Sequence, residues 1–306
     1  MIDILCPLDK SSLRRIDSVY HCDYCNKRYP VVEGVVKLIQ QDDNFYEGAY
    51  KNTIKYIPKK ELGIFLLPLW VVSNGYVWFT RKYVPKGSKV LELGCASGVR
   101  YFGTRYEMIG LDLSFSSLKN IEEIYSYKIQ ANASEIIPLP DSSIDAVISS
   151  YFWEHIEEKD KEKILKEIYR ILKPGGKIVF LFDVETKNPL IYKIKKKHPE
   201  FYKKAFHDID GHLGYQLPYE NIDLISRNAF KVLYIFGMEK TFLQSPSVYT
   251  KLSRLPAFNG KFYKIINSIT LLTLKPYLAF LRLIDTAVRK ILPDEWSRIF
   301  LIVAQK

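Results

Sequence analysis

The chain has 306 residues, 47% of them hydrophobic and 26% charged, which excludes a disordered or low-complexity protein and allows one large domain with a small companion. The formal charge of +11 is uneven, because residues 184–306 hold 20 Lys and Arg against 10 Asp and Glu. A basic second half suits an anionic partner such as a membrane surface, a phosphorylated small molecule or RNA, and equally a lysine-rich solvated face.

The chain opens on Met1-Ile2-Asp3-Ile4-Leu5 and runs directly into Cys6-Pro7, without the basic start and long apolar stretch of a secretory signal. Cys6-Pro-Leu-Asp9, Cys22-Asp-Tyr-Cys25 and Tyr29-Pro-Val-Val-Glu-Gly34 read as short strands separated by turns. Twelve residues separate Asp9 from Cys22, close to the spacing of two zinc knuckles. Zinc accepts carboxylate oxygen, so Cys6, Asp9, Cys22 and Cys25 are the candidate tetrahedral set. His21 is a rival fourth ligand, and a degenerate ribbon held by its own small core is the metal-free alternative.

Residues 41–85 read as a helical segment rich in Leu, Val, Trp and Phe. Its most apolar window, Leu62 to Phe79, contains Pro68, Ser73, Asn74 and Gly75, which makes it a poor membrane span.

The most informative stretch is Lys89-Val-Leu-Glu-Leu-Gly94-Cys-Ala-Ser-Gly98. A short apolar strand there ends in a tight glycine turn, and a helix after Gly98 would aim its first amides into the same crevice. The spacing misses the dinucleotide fingerprint G-x-G-x-x-G. A second apolar run, Met108-Ile-Gly-Leu-Asp112, ends in an acid 18 residues after Gly94. That acid is placed to accept hydrogen bonds from two ribose hydroxyls, and equally to cap the next helix. Strands are predicted at 89–94, 108–112, 127–131, 144–149 and 176–183, with helices at 98–106, 115–124 and 158–172. This alternation implies a parallel sheet covered on both faces, with its ligand crevice at the carboxyl ends of the strands.

Five ordered motifs carry a resemblance: Glu92-Leu-Gly-Cys-Ala-Ser-Gly98, Gly110-Leu-Asp-Leu-Ser114, Pro138-Leu-Pro-Asp-Ser-Ser-Ile-Asp-Ala-Val-Ile-Ser149, Glu154-His155 and Ile171-Leu-Lys-Pro-Gly-Gly-Lys-Ile-Val179. Over about residues 86–184 the chain resembles class I S-adenosylmethionine-dependent methyltransferases of the small-molecule type. The resemblance implies a doubly wound, mostly parallel seven-stranded α/β sheet over 86–306. It also implies cofactor contacts at Glu92, Gly94, Ala96, Gly98, Asp112, Leu113, Asn132, Ala133 and Ser150. Two positions depart from the commonest pattern. Ala96 stands where glycine is usual, and Asn132 stands where an acid often faces the adenine amino group. Residues 1–40 similarly resemble the small Trm112-type zinc ribbons, which occur fused ahead of methyltransferase domains. With a soluble cofactor and no signal peptide, a cytoplasmic location is expected.

Beyond the fifth strand, residues 184–219 form a long polar and aromatic connection with a basic run at Lys193–Lys197 and two histidines, His207 and His212. A connection of that length is usually functional. A helix is predicted at 220–230 and a sixth strand at 231–238. A helical insertion at about 240–297, broken at Pro276, then precedes a last strand at 299–304. The apolar and basic mixture of 262–292 suits core packing, a lid for a greasy acceptor, or an interfacial element.

Methyl transfer needs a general base only where the acceptor must lose a proton, and the candidates are His155, His207 and His212, with Asp210 as an orienting partner. Three readings follow. The first is a methyltransferase for a small molecule or a lipid- or sugar-linked acceptor, with peripheral membrane contact. The second is an RNA methyltransferase using the ribbon and basic surface, although no RRM or KH pattern is present. The third is a binding protein with a vestigial cofactor fold, against which the intact Glu92, Gly94, Gly98 and Asp112 argue.

Overall fold

The computed structural model describes residues 2–39, 47, 74–121, 124–255 and 257–306. Most of the helical segment expected at 41–85 lies outside the described residues. The chain begins with three short antiparallel strands, β1 (Arg14–Ile16), β2 (Val19–His21) and β3 (Arg28–Val32), and a fourth, β4 (Val35–Lys37), that pairs antiparallel with β3. Helix α1 (Tyr76–Tyr83) leads into β5 (Lys89–Leu93), α2 (Arg100–Gly103), β6 (Glu107–Asp112), α3 (Phe115–Lys119), β7 (Tyr127–Gln130) and β8 (Ile144–Ser150). A 3-10 turn at Trp153–His155 precedes α4 (Glu158–Ile171) and β9 (Leu172–Asp183). Then come α5 (Pro189–Lys197), α6 (Pro199–Lys203), α7 (Pro218–Arg227), β10 (Lys231–Met238), α8 (Pro246–Leu252), α9 (Ala257–Leu272), α10 (Leu274–Val288) and β11 (Ile299–Gln305).

The order across the sheet is β1-β2-β3-β4-β7-β6-β5-β8-β9-β11-β10. Strands β7, β6, β5, β8 and β9 run parallel, and β11 lies antiparallel between β9 and β10. The expected seven strands are therefore extended. β4 pairs parallel with β7, Val36 opposite Ile129, so the N-terminal ribbon hydrogen-bonds into the sheet edge. Alternation along each strand divides the core between two faces. Leu91, Ile109, Val147 and Ile178 pack with Ile164 and Leu165 of α4 and Leu224 of α7. Val90, Met108, Ala146 and Val179 pack with Val77 of α1, Phe102 of α2 and Leu118 of α3.

Three local expectations are corrected. The strand expected at 176–183 begins earlier, at Leu172, which pairs with Ile144; a register shift between Ile144 and Ala146 absorbs Pro174, Gly175 and Gly176 as a bulge. The 184–219 connection is not a bare loop. Asn188 accepts from the Leu190 amide and caps α5, whose Ile191 and Ile194 are buried, so the run of lysines hid a helical period. The helical insertion breaks at Thr273, and Pro276 sits in the first turn of α10, where its missing N–H leaves no bond unmade.

Candidate active site at the carboxyl ends of the parallel strands

A cavity of about 710 Å³ opens where Gly94, Asp112, Asn132, Ser150 and Asp183 end or follow successive parallel strands. This is the crevice that open parallel sheets present to ligands, and its volume suits a nucleoside-sized molecule with room for a second.

The glycine turn forms one side. Gly94 and Gly98 have φ of 60° and 71°, and Ala96 is held in the same left-handed region at 45°. Its amide donates to Asp112 Oδ2 at 2.8 Å, while Asp112 Oδ1 accepts from the Ser114 amide at 2.9 Å. One carboxylate thus ties the turn after β5 to the end of β6 and still lines the cavity. A Cβ on Gly94 would come within 2.6 Å of the Phe152 ring, so only glycine lets the two meet.

Of the residues expected to contact a cofactor, Gly94, Ala96, Asp112, Leu113, Asn132, Ala133 and Ser150 line the cavity. Asn132 Oδ1 accepts from the Ser134 amide at 3.0 Å and retains a second lone pair. Glu92 and Gly98 are not among the lining residues. Glu92 is fully buried and accepts from Tyr76 and Tyr125 hydroxyls at 3.0 and 2.5 Å. Tyr125 in turn accepts from the Val99 amide at 2.9 Å, so Glu92 anchors the exit of the glycine turn from below.

The opposite wall comes from the 3-10 turn after β8 and from residues 209–213. His155 Nδ1 donates to the Gly211 carbonyl at 2.9 Å, and the Gly214 amide donates to the Glu154 carbonyl at 3.0 Å. The fit needs glycine at 214, since a Cβ there would reach 1.8 Å from the Ile156 carbonyl oxygen. His155 and His212 both line the cavity, their rings 5.2 Å apart and edge to face. Burial holds both imidazoles below the ordinary histidine range, His212 at about 4, so both are uncharged near neutral pH. Burial also pushes Glu154 well above the usual carboxylate range. His207 is not among the lining residues; its Nε2 lies 3.6 Å from Glu185 Oε2, between Tyr202 and Tyr215. Sequence reading overlooked Glu154 and Asp183 as wall residues. The Glu154-His155 pair and the end of the fifth parallel strand were the available signals.

Among the described residues, none from α9 or α10 lines the cavity, so the lid expected from 262–292 is not formed there. In the N-terminal ribbon, donor atoms of Cys6, Asp9, Cys22 and Cys25 all lie within 4.8 Å of one another. Cys6 and Cys25 sulfurs are 3.6 Å apart, a separation that tetrahedral zinc–thiolate bonds of about 2.3 Å would span. The Ser11 hydroxyl and amide hold the Asp9 carboxylate far below its ordinary range, keeping it ionised as a ligand would be. His21 lies outside this cluster, its ring nitrogens bonded to Asp23 and Asn26.

Residues 91–180 match a family model described as a methyltransferase domain. The chain is 33% identical over 138 residues to a ubiquinone/menaquinone biosynthesis C-methyltransferase of Citrobacter koseri, an alignment covering 40% of this chain and 51% of that one. It is 33% identical over 127 residues to the Pasteurella multocida protein of the same description, covering 37% and 45%. The chain thus spans about half the length of the curated relatives it matches. Among solved structures, a SAM-dependent methyltransferase from Archaeoglobus fulgidus aligns with a TM-score of 0.48 at 18% identity, over 77% of this chain and 93% of that one. Phosphoethanolamine N-methyltransferase 2 of Haemonchus contortus aligns with a TM-score of 0.49 at 18% identity, over 76% and 52%.

Proposed function

We propose that this chain is an S-adenosylmethionine-dependent methyltransferase whose acceptor is a small molecule or a lipid- or sugar-linked one. The observation that carries this reading is Asp112. It ends the second strand of a domain matched as a methyltransferase, braces the glycine turn through the Ala96 amide, and lines the cavity. Its carboxylate is the candidate acceptor for the ribose hydroxyls, with Leu113, Asn132 and Ala133 beside the adenine and Gly94 and Ala96 against the amino-acid end. S-adenosylmethionine supplies a methyl group on a sulfonium, which passes to the acceptor's nucleophilic atom as the carbon–sulfur electron pair returns to sulfur. The protein's part is to hold the two reactants in line and keep water out. His155 and His212, buried and uncharged, put lone pairs rather than positive charge against the acceptor side.

The amphiphilic acceptor is supported by α9 and α10. Helix α10 turns Arg282 and Asp285 inward, at 1% and 0% exposure, and exposes Phe280 and Leu283. Helix α9 exposes Phe262, Ile265, Ile269 and Leu272 beside the exposed Lys261 and Lys264. An apolar face with a basic rim suits a surface that is greasy and anionic. The relatives' description as quinone-biosynthesis C-methyltransferases also favours a small-molecule acceptor over RNA. Zinc in the ribbon is part of the same proposal, held by Cys6, Asp9, Cys22 and Cys25.

The test is transfer of labelled methyl from S-adenosylmethionine into lipid, small-molecule and nucleic-acid fractions of a cell extract, with and without nuclease. Label in organic-soluble material supports the proposal. Label lost on nuclease treatment selects the RNA alternative, and no cofactor binding by calorimetry removes the methyltransferase reading.

A further inference from the structure

The acceptor side of the cavity holds three side chains whose donor atoms converge. One atom each from Glu154, His155 and His212 lies within 4.8 Å of the other two. They reach this point from two separate segments, the turn after β8 and the connection after β9, tied together by the His155–Gly211 and Gly214–Glu154 hydrogen bonds. Glu154 is 1% exposed and His212 8%. Glu154 Oε2 and His212 Nδ1 are both buried, and neither has a hydrogen-bond partner among the described residues. A buried polar atom left unpaired loses its hydration without replacement, so two beside one void call for a ligand that satisfies both.

The surroundings are those of ligating groups. Glu154 Oε1 accepts from the Asp183 amide at 3.2 Å, which fixes the carboxylate and leaves Oε2 as its unpaired oxygen. The Gly211 carbonyl can only accept, so His155 carries its proton on Nδ1 and its lone pair on Nε2. Metal-bound histidines are oriented in this way by a backbone carbonyl on the other nitrogen. Asp183 Oδ1, also buried and unpaired, lines the same cavity and adds a second carboxylate near the cluster.

We propose that Glu154, His155 and His212 bind one divalent first-row transition metal. Two imidazoles and a carboxylate select zinc, iron, cobalt or manganese over magnesium or calcium, which prefer all-oxygen sites, and three protein ligands leave coordination positions open to the cavity. A metal there would take an oxygen of the acceptor, a hydroxyl or enolate, as its further ligand. That use rests on the methyltransferase reading; the metal site does not.

The experiment uses the full chain, stripped with chelator and titrated with Co²⁺ while its absorption is followed. The ribbon cluster is a second sink, but its thiolates give sulfur-to-cobalt charge transfer, whereas the Glu–His–His site gives ligand-field bands alone. We expect one equivalent beyond any that shows charge transfer. Glu154→Gln, nearly isosteric, and His212→Ala should each weaken that equivalent by at least about tenfold, with any thiolate band unchanged. Thermal melts show whether each variant folds, and Glu154→Gln carries the test where His212→Ala does not. Absence of the extra equivalent in the wild type, or its full retention in Glu154→Gln, overturns the proposal and leaves a buried polar cluster served by water. S-adenosylmethionine affinity of the wild type, measured in parallel, separates this outcome from failure of the methyltransferase reading.

Discussion

Asp112 braces the glycine turn and is the proposed acceptor for the ribose hydroxyls. Its oxygens accept from the Ala96 and Ser114 amides while the side chain lines the cavity. Asp112→Ala should therefore cost cofactor binding about 1–3 kcal/mol, roughly 5- to 150-fold, and also loosen the turn that Ala96 occupies at positive φ. Calorimetry with S-adenosylmethionine reads the first effect, and unchanged affinity would remove Asp112 from the site. Gly94→Ala is expected to act differently. Its Cβ would meet Phe152 at 2.6–2.8 Å on a backbone already at φ 60°, so the ring must leave the cavity wall. The expected result is a lower melting temperature together with weaker cofactor binding; a variant as stable as the wild type would show that the turn can relax around a side chain.

Among the elements, the ribbon is bound to the rest through its last strand. Because β4 pairs with β7, disorder in the ribbon exposes the edge of the main sheet. If the four-residue cluster holds zinc, purified protein should contain one metal with tetrahedral thiolate character. Cys22→Ser or chelation should then lower the melting temperature of the whole chain, not of a detached ribbon alone. A melt indifferent to chelation, with no thiolate-bound metal in elemental and spectroscopic analysis, would leave the ribbon metal-free. Helix α10 is anchored by charge. Arg282 pairs with Asp285 and, at 3.2 Å, with Glu239, which also binds Arg298 at 2.7 Å. Burial raises Asp285 from 3.8 to about 6. The folded chain thus keeps a proton that the unfolded chain has already lost between these values. Stability contributed by this group is fully present below about pH 4 and falls as pH rises through about 6, by up to about 3 kcal/mol. Asp285→Asn should flatten that part of a denaturation-versus-pH curve. An unaltered slope would place the titration elsewhere.

For the molecule as a whole, the exposed face of α9 and α10 and the basic second half predict a surface that meets anionic amphiphiles. Liposomes containing anionic lipid should co-float the protein. Replacing Ile269 and Leu272 with Ser should reduce flotation several-fold without changing cofactor affinity, since no described residue of these helices lines the cavity. Absent flotation would overturn the prediction, and flotation that salt abolishes while the apolar substitutions leave it intact would argue for a purely electrostatic surface.

Local chemistry was enough to read the alternating α/β order, the ends of most strands, the glycine turn and Asp112, because each rests on a short-range rule: apolar alternation, turn residues, an acid at a strand end. The Cys6, Asp9, Cys22 and Cys25 grouping was legible for the same reason, through knuckle spacing. What depended on distant parts of the chain was not legible. Glu92, expected at the cofactor, lies fully buried and accepts from Tyr76 and Tyr125, partners far from it in the chain that no local spacing announces. His155 and His212 are brought together, and His207 kept apart, by a connection whose helices were disguised by lysines. Pairing of β4 with β7, the inward charges of α10 and the convergence of Glu154 with two histidines are all long-range outcomes. They depend on which faces the packed sheet buries, and no spacing along the chain encodes that.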